Sequence, residues 1–255
     1  MPTPLTQHDL LAAIFHDVLR QTDAPISHTA MGDCLCALNA ARVGLASLPM
    51  PEDRSDIYPA CDALPALGQS ARDVAGRLLE PDSQGTLTAS LAMAAANALL
   101  PPPAACPPMF GQDVLAARGQ NKNVAVIGHF PFVDAASHAF AKFWVLELQP
   151  MPGDYDASLS DVILPQADLV AITATTLLNG TLAGILNLCR PDALVLLLGP
   201  TTPFAPSLFD CGIDILAGCT CLDSAKALAG VSRNCLFREL DGAQQLAWER
   251  SPVGD

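Results

Sequence analysis

A repeated strand–loop–helix pattern between residues 124 and 230 constrains the fold of this chain more than any other feature. Short apolar runs in this region each end in a polar or glycine-containing loop, and helical sequence follows. Such runs are typical of strands buried on both faces, and their alternation with helices indicates a parallel sheet covered by helices. We predict parallel strands at 124–127, 143–148, 169–173, 194–198 and 213–216.

The segments between these strands have helical character. After the third strand, a helix is predicted to begin at about Asn179, whose side chain is of a preferred N-cap type. Its apolar residues Leu182, Ile185 and Leu186 recur at helical spacing. Further helices are predicted at 134–142, 207–211 and 223–230.

The loops at 128–132, 173–179 and 199–203 all leave the carboxyl ends of predicted strands. In an open parallel sheet those ends share one edge, and ligands bind there, where the strand order reverses. Exposed N–H groups at helix starts favour anionic groups at such an edge. The predicted ligand-binding residues are Gly128, His129, Phe130, Pro131, Glu147, Thr173, Thr175, Thr176, Asn179, Gly180, Thr181, Gly199, Pro200, Thr201 and Thr202.

The first hundred residues have a different pattern. A capping-box-like Thr6-x-x-Asp9 precedes a helix, residues 27–48 resemble a meander of short strands, and helices are predicted at 68–79 and 85–100. The prolines at 101–103 and 107–108 suit a stiff linker. We therefore predict a small α+β domain at 1–105 and an α/β domain at 110–245, the latter opening with a helix at about 110–118.

The composition excludes several classes of partner. The net charge of −13 and the absence of a basic cluster disfavour nucleic acid and anionic membrane surfaces. No apolar run approaches the roughly 20 residues that span a bilayer, and no signal peptide is recognisable. Nine cysteines without an export signal indicate reduced thiols, so we expect a cytoplasmic protein.

Three groups of residues are candidate metal ligands. His129 follows a strand in the predicted crevice, where imidazole can bind a metal or act as an acid or base; a histidine bonded to backbone is the alternative. The pairs Cys219/Cys221 and Cys34/Cys36 each place two sulfurs on one side of a strand, which suits a soft transition-metal ion, although buried cysteine is also a common small hydrophobe. Carboxylates at Asp154, Asp156 and Asp161 could lie near a hard cation, but the sequence favours a solvated loop for each of them.

A dinucleotide site is disfavoured, because His129, Phe130 and Pro131 stand where G-x-G-x-x-G requires small residues. Glu147 nevertheless ends the second strand at the place of a ribose-binding acid. A nucleoside-type cofactor therefore remains open.

Several motifs together resemble the family known as "putative heavy-metal chelation", a domain of unknown function. They are VAVIGHFPF (124–132), LPQAD (164–168), ITATTLLNGTL (172–182), LGPTTP (198–203) and GIDILAG (212–218). The segments VGLAS (43–47) and SLAMAAAN (90–97) are similar to that family's partner domain. The resemblance implies a Rossmann-like second domain, an enolase N-terminal-like first domain, a site in the cleft between them, and chelation linked to metallocofactor synthesis.

Two functions stay open at this point. The first is binding of a small polar or metal-associated ligand in the interdomain cleft. The second is a transferase- or lyase-type enzyme with a nucleotide-like cofactor in the crevice. The expected partner is a small molecule or a metal complex, a homodimer is compatible with the sequence, and no residue is assigned a catalytic role.

Overall fold

The computed structural model describes residues 3–49, 64–104, 106–133 and 140–251. Within these ranges, the first part of the chain forms one helix, three strands and two more helices. These are α1 (Gln7–Leu19), β1 (His28–Met31), β2 (Leu35–Asn39), β3 (Val43–Ser47), α2 (Ala71–Gly76) and α3 (Leu87–Leu99).

The second part alternates strands with helices, as the sequence predicts. Its elements are α4 (Gly111–Gly119), β4 (Asn123–Ile127), β5 (Lys142–Glu147), β6 (Tyr155–Asp156), α5 (Ser160–Ile163), β7 (Leu169–Thr173), α6 (Thr175–Leu178), α7 (Leu182–Leu188), β8 (Leu194–Leu198), β9 (Ile215–Cys221), α8 (Ser224–Ser232) and β10 (Ala243–Glu249). Short 3-10 helices lie at Arg77–Leu79, Ala157–Leu159, Leu164–Gln166, Pro206–Cys211 and Phe237–Glu239. The predicted helix at 134–142 falls largely outside the described residues, and its last residue, Lys142, begins β5.

In the described part of the chain, seven strands form one sheet in the order β10-β9-β8-β7-β4-β5-β6, and β1-β2-β3 form a separate antiparallel sheet. All neighbours from β9 to β6 in the large sheet are parallel, which confirms the predicted mixed α/β class. The prediction missed β10, which pairs antiparallel with all of β9, from Ile215 opposite Glu249 to Cys221 opposite Ala243. This pairing explains why β9 runs past the predicted end of its strand.

The two faces of the large sheet bury different residues because side chains alternate along a strand. Val170, Ile172 and Leu197 belong to a core that also contains Leu10 and Ile14 of α1. The alternate residues of the same strands form the core on the other face, together with residues of α4. That second set includes Val126, Leu169, Ala171, Leu196, Leu198, Val114 and Leu115.

The first part of the chain thus packs directly on one face of the large sheet. Buried Asp17 of α1 reinforces the contact, because its Oδ2 accepts hydrogen bonds from the main-chain N–H and the hydroxyl of Ser207. The Thr6–Asp9 capping box predicted at the start of α1 is present, with Asp9 N donating to Thr6 Oγ1 at 3.2 Å. The domain bounds 1–105 and 110–245 remain a prediction.

The small sheet is buried on both of its faces. Cys36, Leu38 and Ala46 face the main core, whereas Ala37 and Leu45 pack against Ala227 and Val231 of α8 along with other residues. Gly44 lies so close to α3 that a Cβ there would stand 2.1 Å from the Ala94 carbonyl oxygen. Only glycine therefore permits this approach of helix and strand.

Within the described residues, none of the helices combines the length and apolar character needed to cross a membrane.

Candidate functional site

The strand order reverses between β4 and β7. From β4 the chain proceeds to β5 and β6 on one side, and from β7 it proceeds to β8 and β9 on the other. Because β4, β7 and β8 are parallel neighbours, the loops at 128–132, 173–179 and 199–203 leave the same edge. Such a reversal is where open parallel sheets bind their ligands. We call the edge formed by the carboxyl ends of β4, β7 and β8, with the three loops that leave it, the sheet edge.

A tight turn and several hydrogen bonds position the loop after β4. Gly128 has a φ of +101°, and a Cβ there would stand 3.0 Å from Thr173 Cγ2. The next residue, His129, donates its main-chain N–H to Glu147 Oε1 at 3.0 Å, and Leu148 N donates to Glu147 Oε2 at 2.8 Å. Glu147 therefore connects this loop to the end of β5, and each of its carboxylate oxygens accepts a hydrogen bond from a main-chain N–H.

The His129 side chain pairs with Asp154. Both carboxylate oxygens of Asp154 lie 3.0 Å from His129 Nδ1, and its Oδ2 also accepts from Met151 N at 3.0 Å. The Asp154 side chain is only 3% exposed, whereas that of His129 is 23% exposed. A carboxylate only accepts hydrogen bonds, so Nδ1 is the donor and the lone pair of a neutral ring resides on Nε2.

The sequence placed Asp154 in a solvated loop and did not identify it as the partner of His129. The visible signal was the Pro152-Gly153 turn, which closes with Asp154 N donating to Met151 O at 2.9 Å. Gly153 has the positive φ, +103°, that such a turn requires. The turn could be read from the sequence, but the histidine that meets its last residue 25 positions away could not. Asp156, by contrast, is exposed and caps the short helix that follows it.

The aromatic residues of the same loop serve the core. The rings of Phe130 and Phe132 stack with their centroids 5.1 Å apart, and both pack against the buried face that contains α4. Pro131 between them is exposed. Of the residues predicted in this loop, His129 is the one that presents a polar side chain.

The loop after β7 differs from the prediction. The one-turn helix α6 begins immediately at Thr175, and α7 begins only at Leu182, so Asn179 is not its N-cap. Asn179 Oδ1 instead accepts from Thr181 N at 3.2 Å and Thr181 Oγ1 at 2.7 Å, which is an Asx turn. Gly180, with a φ of +81°, separates the two helices.

Side chains from the first part of the chain cover this loop. Gln7 Oε1 accepts from Ala183 N at 3.2 Å and Gln7 Nε2 donates to Leu177 O at 2.9 Å. Gln84 lies over Gly180, where an added Cβ would meet its Oε1 at 2.1 Å. The sequence predicted that N–H groups at the start of this helix could bind an anionic ligand. In the structure, the Ala183 N–H of α7 already donates to Gln7 Oε1.

The threonines after β7 are mainly bonded to one another. Thr173 Oγ1 and Thr175 Oγ1 are 3.0 Å apart, and Thr176 Oγ1 donates to Thr173 O at 2.6 Å. Thr176 is also buried. These contacts are turn chemistry within the loop.

The loop after β8 joins the two sheets. Thr201 is buried, its Oγ1 accepts from Ser47 N at 2.9 Å, and it donates to Ser47 Oγ at 3.0 Å. Asn97 Nδ2 of α3 donates to Leu45 O at 2.8 Å and to Thr201 O at 3.2 Å. Gly199 has a φ of +122° and opens the turn that places these groups. The sequence did not indicate the partners Ser47 and Asn97.

Thr202 and Pro200 of the same loop line a small cleft, and Arg42 and Asn97 also line it. Thr202 is 3% exposed, and its hydroxyl oxygen has no hydrogen-bond partner among the described residues. A second cavity, of about 470 Å³, lies between α4 and the start of β9, where Ile215 pairs with Glu249. That cavity is at the opposite edge of the large sheet.

Cys219 and Cys221 face the small sheet beside Val43, Leu45 and Val231. Burial raises the pKa of both thiols, that of Cys221 to about 11, and the proximity of Cys221 adds to the rise at Cys219. Burial likewise raises the pKa of Cys36 to about 12. Metals bind the thiolate, so these environments oppose ligation. Over the described ranges, no group of three or more histidine, cysteine, aspartate or glutamate residues is arranged to hold a metal ion.

The fold is that of an α/β protein with a mostly parallel seven-stranded sheet and a separate, small antiparallel sheet. The loop after β8 joins the small sheet to the large one at the sheet edge. The chain belongs to the DUF364 family, described as "Putative heavy-metal chelation", whose family model matches residues 112–248. A second model with the same description, DUF4213, matches residues 23–100. The family expected from the sequence motifs is therefore confirmed.

An uncharacterised protein of Methanocaldococcus jannaschii is 33% identical over 123 residues, which are 46% of this chain and 47% of that protein. The chain thus spans about half the length of this curated relative. A DUF364-family protein of unknown function from Desulfitobacterium hafniense has a similar structure, with a TM-score of 0.76, 25% identity, and coverage of 96% of this chain and 98% of its own. One from Pyrococcus horikoshii, at 19% identity and a TM-score of 0.75 with coverage of 94% and 100%, shows the shared fold alone.

Proposed function

We propose that this protein binds a small, polar, metal-bearing ligand at the sheet edge and that His129 coordinates the metal. The observation that carries the proposal is the pairing of His129 Nδ1 with both oxygens of the buried Asp154 carboxylate, while the imidazole side chain stays 23% exposed. The pair lies beside the strands at which the order of the sheet reverses.

Metal-binding histidines typically donate their second ring N–H to a carboxylate, which fixes the tautomer and the orientation of the ring. Asp154 is suited to this role because Met151 N holds its Oδ2 independently of His129. The Nε2 lone pair is then available to a metal, and transition metals such as copper, nickel and zinc accept imidazole readily.

The donor set fits a metal complex better than a bare ion. Closed metal sites in proteins usually have about four ligands, whereas the described residues contain no group of three or more candidate side chains. We therefore propose that the ligand brings most of its own donor atoms and that His129 fills an open coordination position. The family description, "Putative heavy-metal chelation", supports a metal-bearing ligand, and a role in metallocofactor metabolism is consistent with it.

The alternative of a transferase or lyase with a nucleotide-like cofactor has less support. Glu147, the candidate ribose-binding acid, already accepts main-chain N–H groups from His129 and Leu148. The setting that we propose for the binding protein is the cytosol, because the eight cysteines within the described residues are free thiols, which suit a reducing compartment.

Calorimetric titration with two copper complexes tests the proposal. Copper(II) iminodiacetate leaves coordination positions open, whereas copper(II) EDTA does not. The wild type should bind the first complex and not the second. His129→Ala should abolish this binding, and Asp154→Asn should raise its Kd by about 10–100-fold, because the ring loses its charged acceptor.

The matched control is His16→Ala, which removes an exposed histidine from α1 and should leave the Kd unchanged. Equal binding of copper(II) iminodiacetate by the wild type and His129→Ala would contradict the proposal. So would equally tight binding of the saturated EDTA complex.

A further inference from the structure

The cavity of about 470 Å³ lies between α4, the start of β9 and the end of β10, away from the sheet edge. Buried Val114 of α4 and buried Ile215 of β9 line its inner part, while exposed Ala117 of α4 lines its outer part. Ligand-binding cavities in proteins commonly measure about 300–1,000 Å³ and are lined mainly by apolar side chains. The cavity therefore has the size and the inner lining of a small-molecule site.

One wall of the cavity comes from residues that lie between the segments matched by the two family models. The residues of this wall are Pro103, Cys106, Pro107 and Met109. Two hydrogen bonds hold the wall against β10. Cys106 Sγ donates to Ala247 O at 2.9 Å, and Met109 N donates to Gln245 O at 3.1 Å. Because proline also restricts the backbone, the wall is positioned independently of any ligand.

The charges at the cavity are balanced. Arg118 of α4 and Glu249 of β10 both line it and form an ion pair with each other. Each side chain is 48% exposed, so the pair lies at the mouth, and no other charged residue lines the cavity among the described residues. A charged ligand would lose hydration in the apolar interior without gaining an unpaired partner. The cavity therefore favours an uncharged molecule.

We propose that this cavity binds an uncharged, ring-containing apolar molecule, which packs on Val114 and Ile215 and has its outer end beside the Arg118–Glu249 pair. An apolar cavity of about 150 Å³ is large enough for benzene, so the larger volume here suits a molecule of roughly two or three rings. Transfer of the apolar surface of the ligand out of water drives the binding. The proposal does not depend on metal binding by His129.

Two dyes that differ mainly in one charged group test the proposal by fluorescence titration. N-phenyl-1-naphthylamine is uncharged, and 8-anilinonaphthalene-1-sulfonate has nearly the same aromatic skeleton with an added sulfonate. The wild type should bind the uncharged dye with a Kd about tenfold or more below that of the sulfonate. Ala117→Phe should raise the Kd for the uncharged dye about tenfold or more, because the new ring clashes with the bound dye.

The matched control is Ala116→Phe, at an exposed alanine of the same helix that does not line the cavity. It should leave the Kd for the uncharged dye unchanged. Both substitutions are at exposed positions of α4, so both variants are expected to fold. Equal affinity of the wild type and Ala117→Phe for the uncharged dye would overturn the proposal, and so would tighter binding of the sulfonate by the wild type.

Glu249→Gln tests the electrostatic part of the proposal. It leaves Arg118 without its acidic partner, so the Kd for the sulfonate should fall several-fold while that for the uncharged dye stays the same. An unchanged preference between the two dyes in this variant would show that they bind elsewhere and would overturn the proposal. His129→Ala should leave the Kd of both dyes unchanged, which separates this site from the metal site.

Discussion

The loops after β4 and β8 leave the same edge of one sheet but have opposite environments. After β4, the side chain of His129 is 23% exposed and is fixed by Asp154 from its own half of the chain. After β8, Thr201 is 1% exposed and is bonded to Ser47 of the small sheet. The difference shows that a shared sheet edge does not give its loops a shared role. One loop presents a side chain, while the other joins the two sheets.

The small sheet is responsible for this difference. It packs over the β8 side through α3 and β3, and Asn97 of α3 bonds to the loop at Thr201 O. On the β4 side, Glu147 and Asp154 provide the comparable restraints. Substitutions on the β8 side should therefore reduce the free energy of unfolding more than substitutions in the loops that the small sheet does not join. The variants below are ordered from the largest expected loss to the smallest.

The largest loss of stability is expected from Gly44→Ala, which acts where the small sheet meets α3. The new Cβ would stand 2.1 Å from Ala94 O and 2.3 Å from Ala98 N, so helix and strand must separate. Overpacking against backbone of this kind should lower the free energy of unfolding by about 3 kcal/mol or more. Urea unfolding followed by circular dichroism would measure it.

The control is Gly184→Ala in α7, where an added Cβ would have no neighbour within 4 Å. Because alanine is the better helix former, this variant should gain about 0.5–1 kcal/mol. If Gly44→Ala were as stable as the wild type, the close contact between β3 and α3 would not be what holds the small sheet against the β8 side.

An intermediate effect is expected from Thr201→Val. The substitution preserves shape but removes the acceptor of Ser47 N and the donor to Ser47 Oγ, leaving a main-chain N–H without its partner at the interface. The free energy of unfolding should fall by about 1–3 kcal/mol. Thermal melts together with urea titrations would determine it.

Thr175→Val is the corresponding change on the loop after β7. Among the described residues, the Thr175 hydroxyl is bonded only to the hydroxyl of Thr173. Its effect should be below about 1 kcal/mol. If Thr201→Val and Thr175→Val lost the same free energy of unfolding, the loop after β8 would not differ from the loop after β7 in joining the two sheets.

The sequence was informative about the strands and less informative about what each loop contacts. Apolar runs and glycines define where β4, β7 and β8 end, and these local signals placed His129 and Thr201 at one edge. The partners Asp154, Ser47 and Gln7 lie 25, 154 and 176 residues from the groups they bind. No local pattern encodes such contacts, because they arise from how the two sheets pack.

Arg42 and Asn179 illustrate the two kinds of error. Arg42 lies in the bend between β2 and β3, and its position in a cleft depends on α3 and the loop after β8. Asn179 has a side chain of a helix-capping type. However, the one-turn helix α6 already begins at Thr175, and Gly180, with its positive φ, separates α6 from α7. The prediction that Asn179 caps the next helix was therefore wrong, and its side chain instead closes an Asx turn before that helix.

The smallest effect is expected from Asn179→Ala. Had Asn179 capped α7, this change would cost about 1 kcal/mol. In the structure it removes only the hydrogen bonds that Thr181 N and Thr181 Oγ1 donate to Asn179 Oδ1. Both are exposed, so water can replace them. The start of α7 keeps its acceptor, Gln7 Oε1 on Ala183 N. The free energy of unfolding should therefore change by less than about 0.5 kcal/mol, whereas Gln7→Ala should cost about 1 kcal/mol because it removes both that acceptor and the bond to Leu177 O. Parallel urea titrations of the two variants would compare them. A larger loss in Asn179→Ala than in Gln7→Ala would restore Asn179 as the cap and would reopen the start of α7 as a place for an anionic ligand.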